Sequence, residues 1–337
     1  MTLYLLIFGI AVILSFLLTL AVRKIALFFK IQDTPDDMRK KHKKPIPLLG
    51  GIAPFLAFFV ISLGLYFFDL LPKELGIKIV WLFFASLFIM IGGFLDDRYF
   101  FSPKFQIIFP VTAIMIVLWG GIRIGFITNP LGGIVYLSGT VGLVLGFIWL
   151  FTMSYTTKIL DGLDGLVSGI IVMGGLAIFL FSTLTNFKET GLSYLALILV
   201  GVFIGFLFLN FYPARIFLGE GGSIWAGFIL GALAILTGAK IAITLLVLAL
   251  PVIDLVAVIF RRAFIEKKSI FTGDRLHLHF ILIDKGWSSR QVLFLYWSVA
   301  AVMGIVSIFL PSLSKIIVLV AILFVYFWTE LFFFREK

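Results

Sequence analysis

The sequence predicts an all-α polytopic membrane protein with about eleven transmembrane helices, its N-terminus outside and its C-terminus in the cytoplasm. Three observations carry that expectation. Of 337 residues, 62% are hydrophobic and only 13% are charged. Uncharged runs of about 18 or more residues recur along the chain, the length that crosses a bilayer. Most carboxylates and all three histidines fall in short segments between those runs. There is no cysteine, which excludes disulfides, thiolate metal sites and cysteine nucleophiles, so any metal must be held by oxygen or imidazole.

The first run, Leu3 to Val22, has no basic segment before it and no small-residue cleavage pattern after it. Its basic residues, Arg23 and Lys24, follow it, so it reads as an uncleaved first helix. Further spans are expected near 48–68, 78–95, 105–121, 141–157, 166–186, 192–209, 223–239, 241–259, 292–311 and 315–334. Between the fourth and fifth, residues 122–139 combine alternating apolar residues with Asn-Pro and Gly-Gly turns, the pattern of a small extracytoplasmic hairpin. No repeat, low-complexity tract or soluble domain interrupts the chain, so residues 1–337 are expected to form one transmembrane domain.

Basic residues set the orientation, because cytoplasmic loops retain Lys and Arg. With the N-terminus outside, 21 of the 27 basic residues fall on the cytoplasmic face. The net charge of +10 then reflects topology and contact with anionic lipid, not nucleic-acid binding. A multi-pass protein of the cell (inner or plasma) membrane with a cytoplasmic active site is the expectation.

Four motifs on that face carry chemistry. Asp96-Asp97 ends the third span in GGFLDDRYFFSPKF; two adjacent carboxylates at the apolar edge require a cation or proton. Asp161 and Asp164 lie in KILDGLDGLVSG; on a helix, a spacing of three would set both carboxylates on one side, with Gly162 and Gly165 keeping that side open for a ligand. Glu220 stands in FLGEGGS, where Gly219, Gly221 and Gly222 run into a helix that Ser223 could cap, leaving backbone N–H groups for phosphate and Glu220 for a divalent metal. His277 and His279 lie in DRLHLHF beside Arg275; in an extended segment both rings would share one side. The first cytoplasmic loop ends in PIPLLGG, whose Pro45, Pro47, Gly50 and Gly51 shape a backbone and add no charge.

Carboxylates without thiolates suit Mg2+, a hard cation that bridges phosphates, with Mn2+ as the alternative. Phosphoryl transfer, in which positioning and charge neutralisation dominate, is the reaction class this suggests, and the membrane setting points to a lipid substrate.

DTPDDMRKKHKKPIPLLGG, GGFLDDRYFFSPK, DGLDGLVSG, NFYPARIFLGEGGS, PVIDLVAVIFRR and DRLHLHF together resemble, in order and topology, the polyprenyl-phosphate N-acetylhexosamine-1-phosphate transferases. The resemblance spans residue 33 to about residue 290. It implies Mg2+-dependent transfer of a phospho-sugar from a UDP-sugar donor to a polyprenyl phosphate acceptor, releasing UMP at the start of cell-envelope glycan synthesis. It further implies Asp96, Asp97 and His277 as catalytic residues, with one aspartate deprotonating or orienting the lipid phosphate. Asp97, Asp164 and Glu220 correspond to metal ligands. His42, Lys104, Lys158, Asp161, Asp164, Asn210, Gly221, Gly222, Arg275 and His279 correspond to substrate-binding positions. DRLHLHF followed by GWSSRQ looks more like the N-acetylglucosamine-1-phosphate branch than the muramoyl-pentapeptide branch. A homodimer is compatible with the family, although no motif specifies one.

Two residues depart from the family's pattern. Lys158 stands where asparagine is usual, and Glu220 stands where aspartate is usual. They leave open a catalytically silent relative acting in binding or assembly. A transporter or an intramembrane aspartyl protease fits less well, because the carboxylates cluster at span ends on one face.

Overall fold

A computed structural model describes residues 2–34, 45–130, 132–184, 189–238, 241–267 and 276–334, without the side chains of 265 and 329–334. The chain is mostly helical. In order, the α-helices are α1 Thr2–Phe28, α2 Ile52–Phe67, α3 Lys73–Tyr99, α4 Pro103–Gln106, α5 Ile108–Trp119, α6 Gly139–Leu160, α7 Leu166–Leu184, α8 Thr190–Asn210, α9 Gly219–Leu236, α10 Ile241–Val247, α11 Ala249–Phe260, α12 Leu278–Asp284, α13 Ser289–Phe309 and α14 Ser312–Phe334. A π-helical turn, Arg261–Glu266, extends α11.

Among the described residues, α1, α3, α6, α7, α8, α9 and α13 are long and apolar enough to cross a membrane. The pair α10 and α11 makes an eighth span if its 79° bend is counted as one crossing. Pro251, in the first turn of α11, has no N–H to continue a helix from α10, which accounts for the break at Leu248. The α2 and α4–α5 segments and the Ser312–Trp328 part of α14 are apolar but shorter. Large apolar side chains, among them Leu5, Ile13, Trp119, Phe309 and Phe324, face outward, as lipid contact allows.

The centre is α9, buried along nearly its whole length and packed against α3 and α6. Small residues make the approach close. A Cβ at Gly93 of α3 would overlap the Gly221 backbone, and one at Gly227 would overlap the Met153 carbonyl of α6. Around this core α8 packs between α1 and α7, with Ser15 donating to the Val202 carbonyl at 2.6 Å.

Two small antiparallel pairs complete the fold. β1 Gln32–Asp33 pairs with β2 Ile46–Pro47. β3 Phe126–Thr128 pairs with β4 Ile134–Tyr136, forming the expected hairpin with Phe126 opposite Tyr136.

Candidate active site

The ends of α3, α6 and α8 meet the start of α9, and the segment after β2 fixes that meeting. Phe217 N–H donates to the Pro47 carbonyl at 2.9 Å, while Gly50 and Gly51 N–H donate to the carbonyls of Phe217 and Leu218 at 2.9 and 2.8 Å. A Cβ at Gly51 would overlap Gly222 Cα. The PIPLLGG backbone is therefore the ledge on which the FLGEGGS turn rests.

On that ledge Asp97 reaches the N-terminus of α9. Its Oδ1 and Oδ2 accept from Glu220 N–H at 3.1 and 3.3 Å, a carboxyl at the positive end of a helix. Gly219 makes this approach workable: its φ is +75° and a Cβ there would strike Asp97 Oδ2. A cleft beside Asp97 is walled by Leu49, Ile52, Met90, Phe94 and Leu218. Asp96 faces another way. It accepts from Phe101 N–H at 2.7 Å and from Gln106 Nε2 at 3.1 and 3.2 Å, closing the end of α3 where Phe100 turns left-handed with φ +55°.

Lys158, in the last turn of α6, forms an ion pair with Glu220 and donates to Gln106 Oε1 at 2.9 Å. The result is a polar chain from Asp96 through Gln106 and Lys158 to Glu220, whose own N–H returns to Asp97. Asp161 caps the C-terminus of α6. Burial, with Glu220 and Asp164 nearby, pushes the Asp161 carboxyl up to about 8. Asp164 accepts from Ala214 N–H at 2.9 Å and so holds the turn that leads into α9.

The histidines arrive from α12. His277 caps it, and His279 lies in its first turn, the two rings stacked 9° from parallel with centroids 5.9 Å apart. His279 and Phe280 lie against the position a Gly162 Cβ would take, which places α12 on the Asp161–Asp164 turn. Asp254 of α11 fixes His277: its Oδ2 is 2.8 Å from His277 Nδ1, and its Oδ1 accepts from Leu278 N–H at 2.8 Å and Tyr326 OH at 2.7 Å.

The model of glycosyl transferase family 4 matches residues 79–238, the stretch that carries Asp96, Asp97, Asp161, Asp164 and Glu220. A probable undecaprenyl-phosphate N-acetylglucosaminyl 1-phosphate transferase of Bacillus subtilis (strain 168) is 28% identical over 329 residues, covering 94% of this chain and 88% of that protein. A phospho-N-acetylmuramoyl-pentapeptide-transferase of Petrotoga mobilis (strain DSM 10674 / SJ95) is 30% identical over 293 residues, covering 79% of this chain and 84% of that protein. The chain belongs to glycosyl transferase family 4. An undecaprenyl-phosphate alpha-N-acetylglucosaminyl 1-phosphate transferase of Haemophilus influenzae (strain ATCC 51907 / DSM 11121 / KW20 / Rd) is 28% identical over 311 residues, covering 87% of this chain and 83% of that protein.

In this glycosyl transferase family 4 member, several sequence expectations take a different local form. Asp161 and Asp164 do not share a helix face; one ends α6 and the other lies in the turn before α7. The side of Gly162 expected to be open is covered by α12. Ser223 does not cap α9 but donates to the Glu220 carbonyl at 3.0 Å. The Glu220 N–H expected to be left for phosphate is taken by Asp97. Gly221 and Gly222 are buried against Gly93 and Gly51, close packing that the turn motif alone did not suggest. The histidine segment starts a helix and is not extended, because Asp254 holds the backbone at Leu278. Asn210 is buried, with Oδ1 accepting from Ser168 at 2.8 Å and Nδ2 donating to the Ile216 carbonyl at 3.1 Å, so it braces the approach to α9. Lys104 is exposed on α4. His42 and Arg275 lie outside the described residues.

Among the described residues, no group of three or more His, Asp and Glu side chains is placed to hold a metal ion, so Asp97, Asp164 and Glu220 do not form the expected ligand set; Asp164 turns to the Ala214 N–H instead. Asp97 and Glu220 nonetheless adjoin at the start of α9, and the donors they offer are carboxylate oxygens. This fits Mg2+, which retains waters and takes one or two carboxylates together with substrate phosphates. Sequence reasoning missed Gln106, Asp254 and Tyr326. A lone aspartate inside an apolar stretch, as in PVIDLVAV, was the available signal for Asp254; nothing local marks the other two.

Proposed function

We propose that this enzyme transfers a phospho-N-acetylhexosamine, GlcNAc-1-phosphate, from a UDP-sugar to polyprenyl phosphate. An oxygen of the lipid phosphate attacks the sugar-bearing phosphorus of the donor. The bond from that phosphorus to the bridging oxygen breaks, UMP leaves, and a polyprenyl diphosphate sugar remains. The observation that carries the reading is Asp97 anchored at the N-terminus of α9, between the apolar cleft and the Lys158–Glu220 pair. A transferring phosphate needs a fixed carboxylate and a cationic group beside it, which Asp97 and Lys158 would supply.

Asp97, held by one backbone N–H, is placed to orient the acceptor phosphate and take its proton. Asp97 and Glu220, together with donor phosphates, would hold Mg2+, which when bound neutralises phosphate charge on the donor. Lys104, exposed on α4, and His277 would add cationic and hydrogen-bonding groups for the diphosphate, while His279, fully buried against the Gly162 turn, would support His277 from behind. In this reading the site faces the cytoplasm, the spans number about eleven, and the protein lies in the cell membrane. The basic residues of the carboxylate-bearing segments support that orientation. Support for GlcNAc over a muramoyl-pentapeptide comes from DRLHLHF followed by GWSSRQ, a pattern that looks more like the N-acetylglucosamine branch.

The test is UMP release by purified protein with undecaprenyl phosphate and Mg2+, given UDP-N-acetylglucosamine or UDP-N-acetylmuramoyl-pentapeptide in parallel. Release with the first donor is expected, and Asp97→Asn should lower it by ~10² or more. Release with the second donor alone would move the enzyme to the muramoyl reaction; no release with either, from folded protein, would overturn the proposal.

A further inference from the structure

Lys158 and Glu220 are in contact with each other. They lie 62 positions apart on different helices, so their pairing is a tertiary fact. Both side chains are largely shielded, at 22% and 18% exposure, so solvent screens the pair weakly. The ammonium is further located by Gln106 Oε1 at 2.9 Å and by the Tyr155 ring, 5.6 Å from its centroid. The Gln106 amide is fixed at its other end as well, because Nε2 donates to Asp96 and to the Phe101 carbonyl at 3.0 Å. Turning that amide over would set its NH2 against the ammonium and its oxygen against the carboxylate, so one orientation satisfies all three groups.

We infer that Lys158 is the resident counter-cation of Glu220: a positioning residue that holds this carboxylate in register with Asp96 through Gln106 and competes with any divalent cation for it. The inference rests on the reading above that a divalent cation binds at Glu220. The glutamate is long enough to span to the ammonium, and a neutral side chain at 158 would leave that carboxylate without its cation. A metal site with a lysine built into it is one unit less negative, so its cation affinity is set lower than the carboxylates alone would give.

The test is a Mn2+ titration by electron paramagnetic resonance on the purified full chain, without substrates, so that turnover plays no part in the readout. Lys158→Asn is expected to bind Mn2+ about tenfold more tightly than wild type, because a unit positive charge in ion-pair contact with a ligand has been removed. Lys158→Arg, which keeps the charge, should stay within about twofold of wild type. In a Glu220→Asp background, where the carboxylate falls short of the ammonium, Lys158→Asn should change affinity by less than about threefold. Lys158→Gln provides a second charge-removing variant should Lys158→Asn fail to fold, as judged by thermal unfolding. If wild type binds Mn2+ and the folded charge-removing variant binds equally or more weakly, the inference is overturned while the metal reading stands. If neither binds, Lys158 competes with no cation in the free protein and the inference is overturned, while a metal that enters with the donor phosphates is read separately by the Mg2+ dependence of UMP release.

Discussion

Asp161 combines geometry and electrostatics in a single side chain. It caps α6, yet burial together with Glu220 and Asp164 holds its carboxyl at about 8, against an ordinary value of 3.8. A carboxyl whose folded value is raised favours the folded state when protonated. That contribution is complete below 3.8 and is lost progressively as pH rises through about 8. In EDTA, the unfolding temperature of wild type is expected to fall between pH 5 and pH 8.5. Asp161→Asn, which cannot ionise, should flatten that dependence and exceed wild type by a few degrees at the alkaline end. Thermal unfolding followed across pH checks this, and an equal slope in the two proteins would refute it. The charge problem at Asp161 was legible in the sequence, where DGLDG signals paired carboxylates. The pairing of Lys158 with Glu220 was not, because each was visible only as a local departure and no periodicity connects positions 158 and 220. Read singly they argued against activity; in contact they form one unit.

At the scale of elements, the least legible piece is α12. Long apolar runs announce spans through composition over many residues, and observed helices such as Gly139–Leu160 and Thr190–Asn210 lie within a few residues of expectation. The helix Leu278–Asp284 has seven residues in a polar loop and owes its position to a node outside itself. That node is Asp254, whose two oxygens bind His277, the Leu278 backbone and Tyr326, tying α11, α12 and α14 together. A carboxylate can only accept, so it sets the proton on His277 Nδ1 and turns Nε2 away from itself. Asp254→Asn is expected to lower kcat for UMP release by ten- to a hundredfold, since small displacements of a positioned group are costly. Tyr326→Phe removes one hydrogen bond and leaves the carboxylate in place, so a loss of about fivefold is expected. Steady-state rates with both donors measure this, and an Asp254→Asn enzyme with wild-type kcat would show that His277 needs no such anchor.

For the whole molecule, the consequence of the fold is that one end holds the chemistry. The carboxylates belong to different helices, yet the ends of α3, α6 and α8 and the start of α9 converge because α9 is wedged by glycine contacts between α3 and α6. The β3–β4 hairpin interrupts the helices elsewhere in the chain, between α5 and α6. If the excess of basic residues beside the carboxylates sets topology, that end is cytoplasmic and the hairpin is outside. The absence of cysteine makes this directly measurable, since each introduced thiol is the only one in the chain. Ser102, exposed between α3 and α4, and Thr128, exposed on β3, are suitable positions. A membrane-impermeant maleimide applied to intact cells should label Thr128→Cys, and should reach Ser102→Cys only after the membrane is opened. Labelling of Ser102→Cys in intact cells would place the carboxylate cluster outside, where UDP-sugars are not supplied, and would require a different donor for the same geometry.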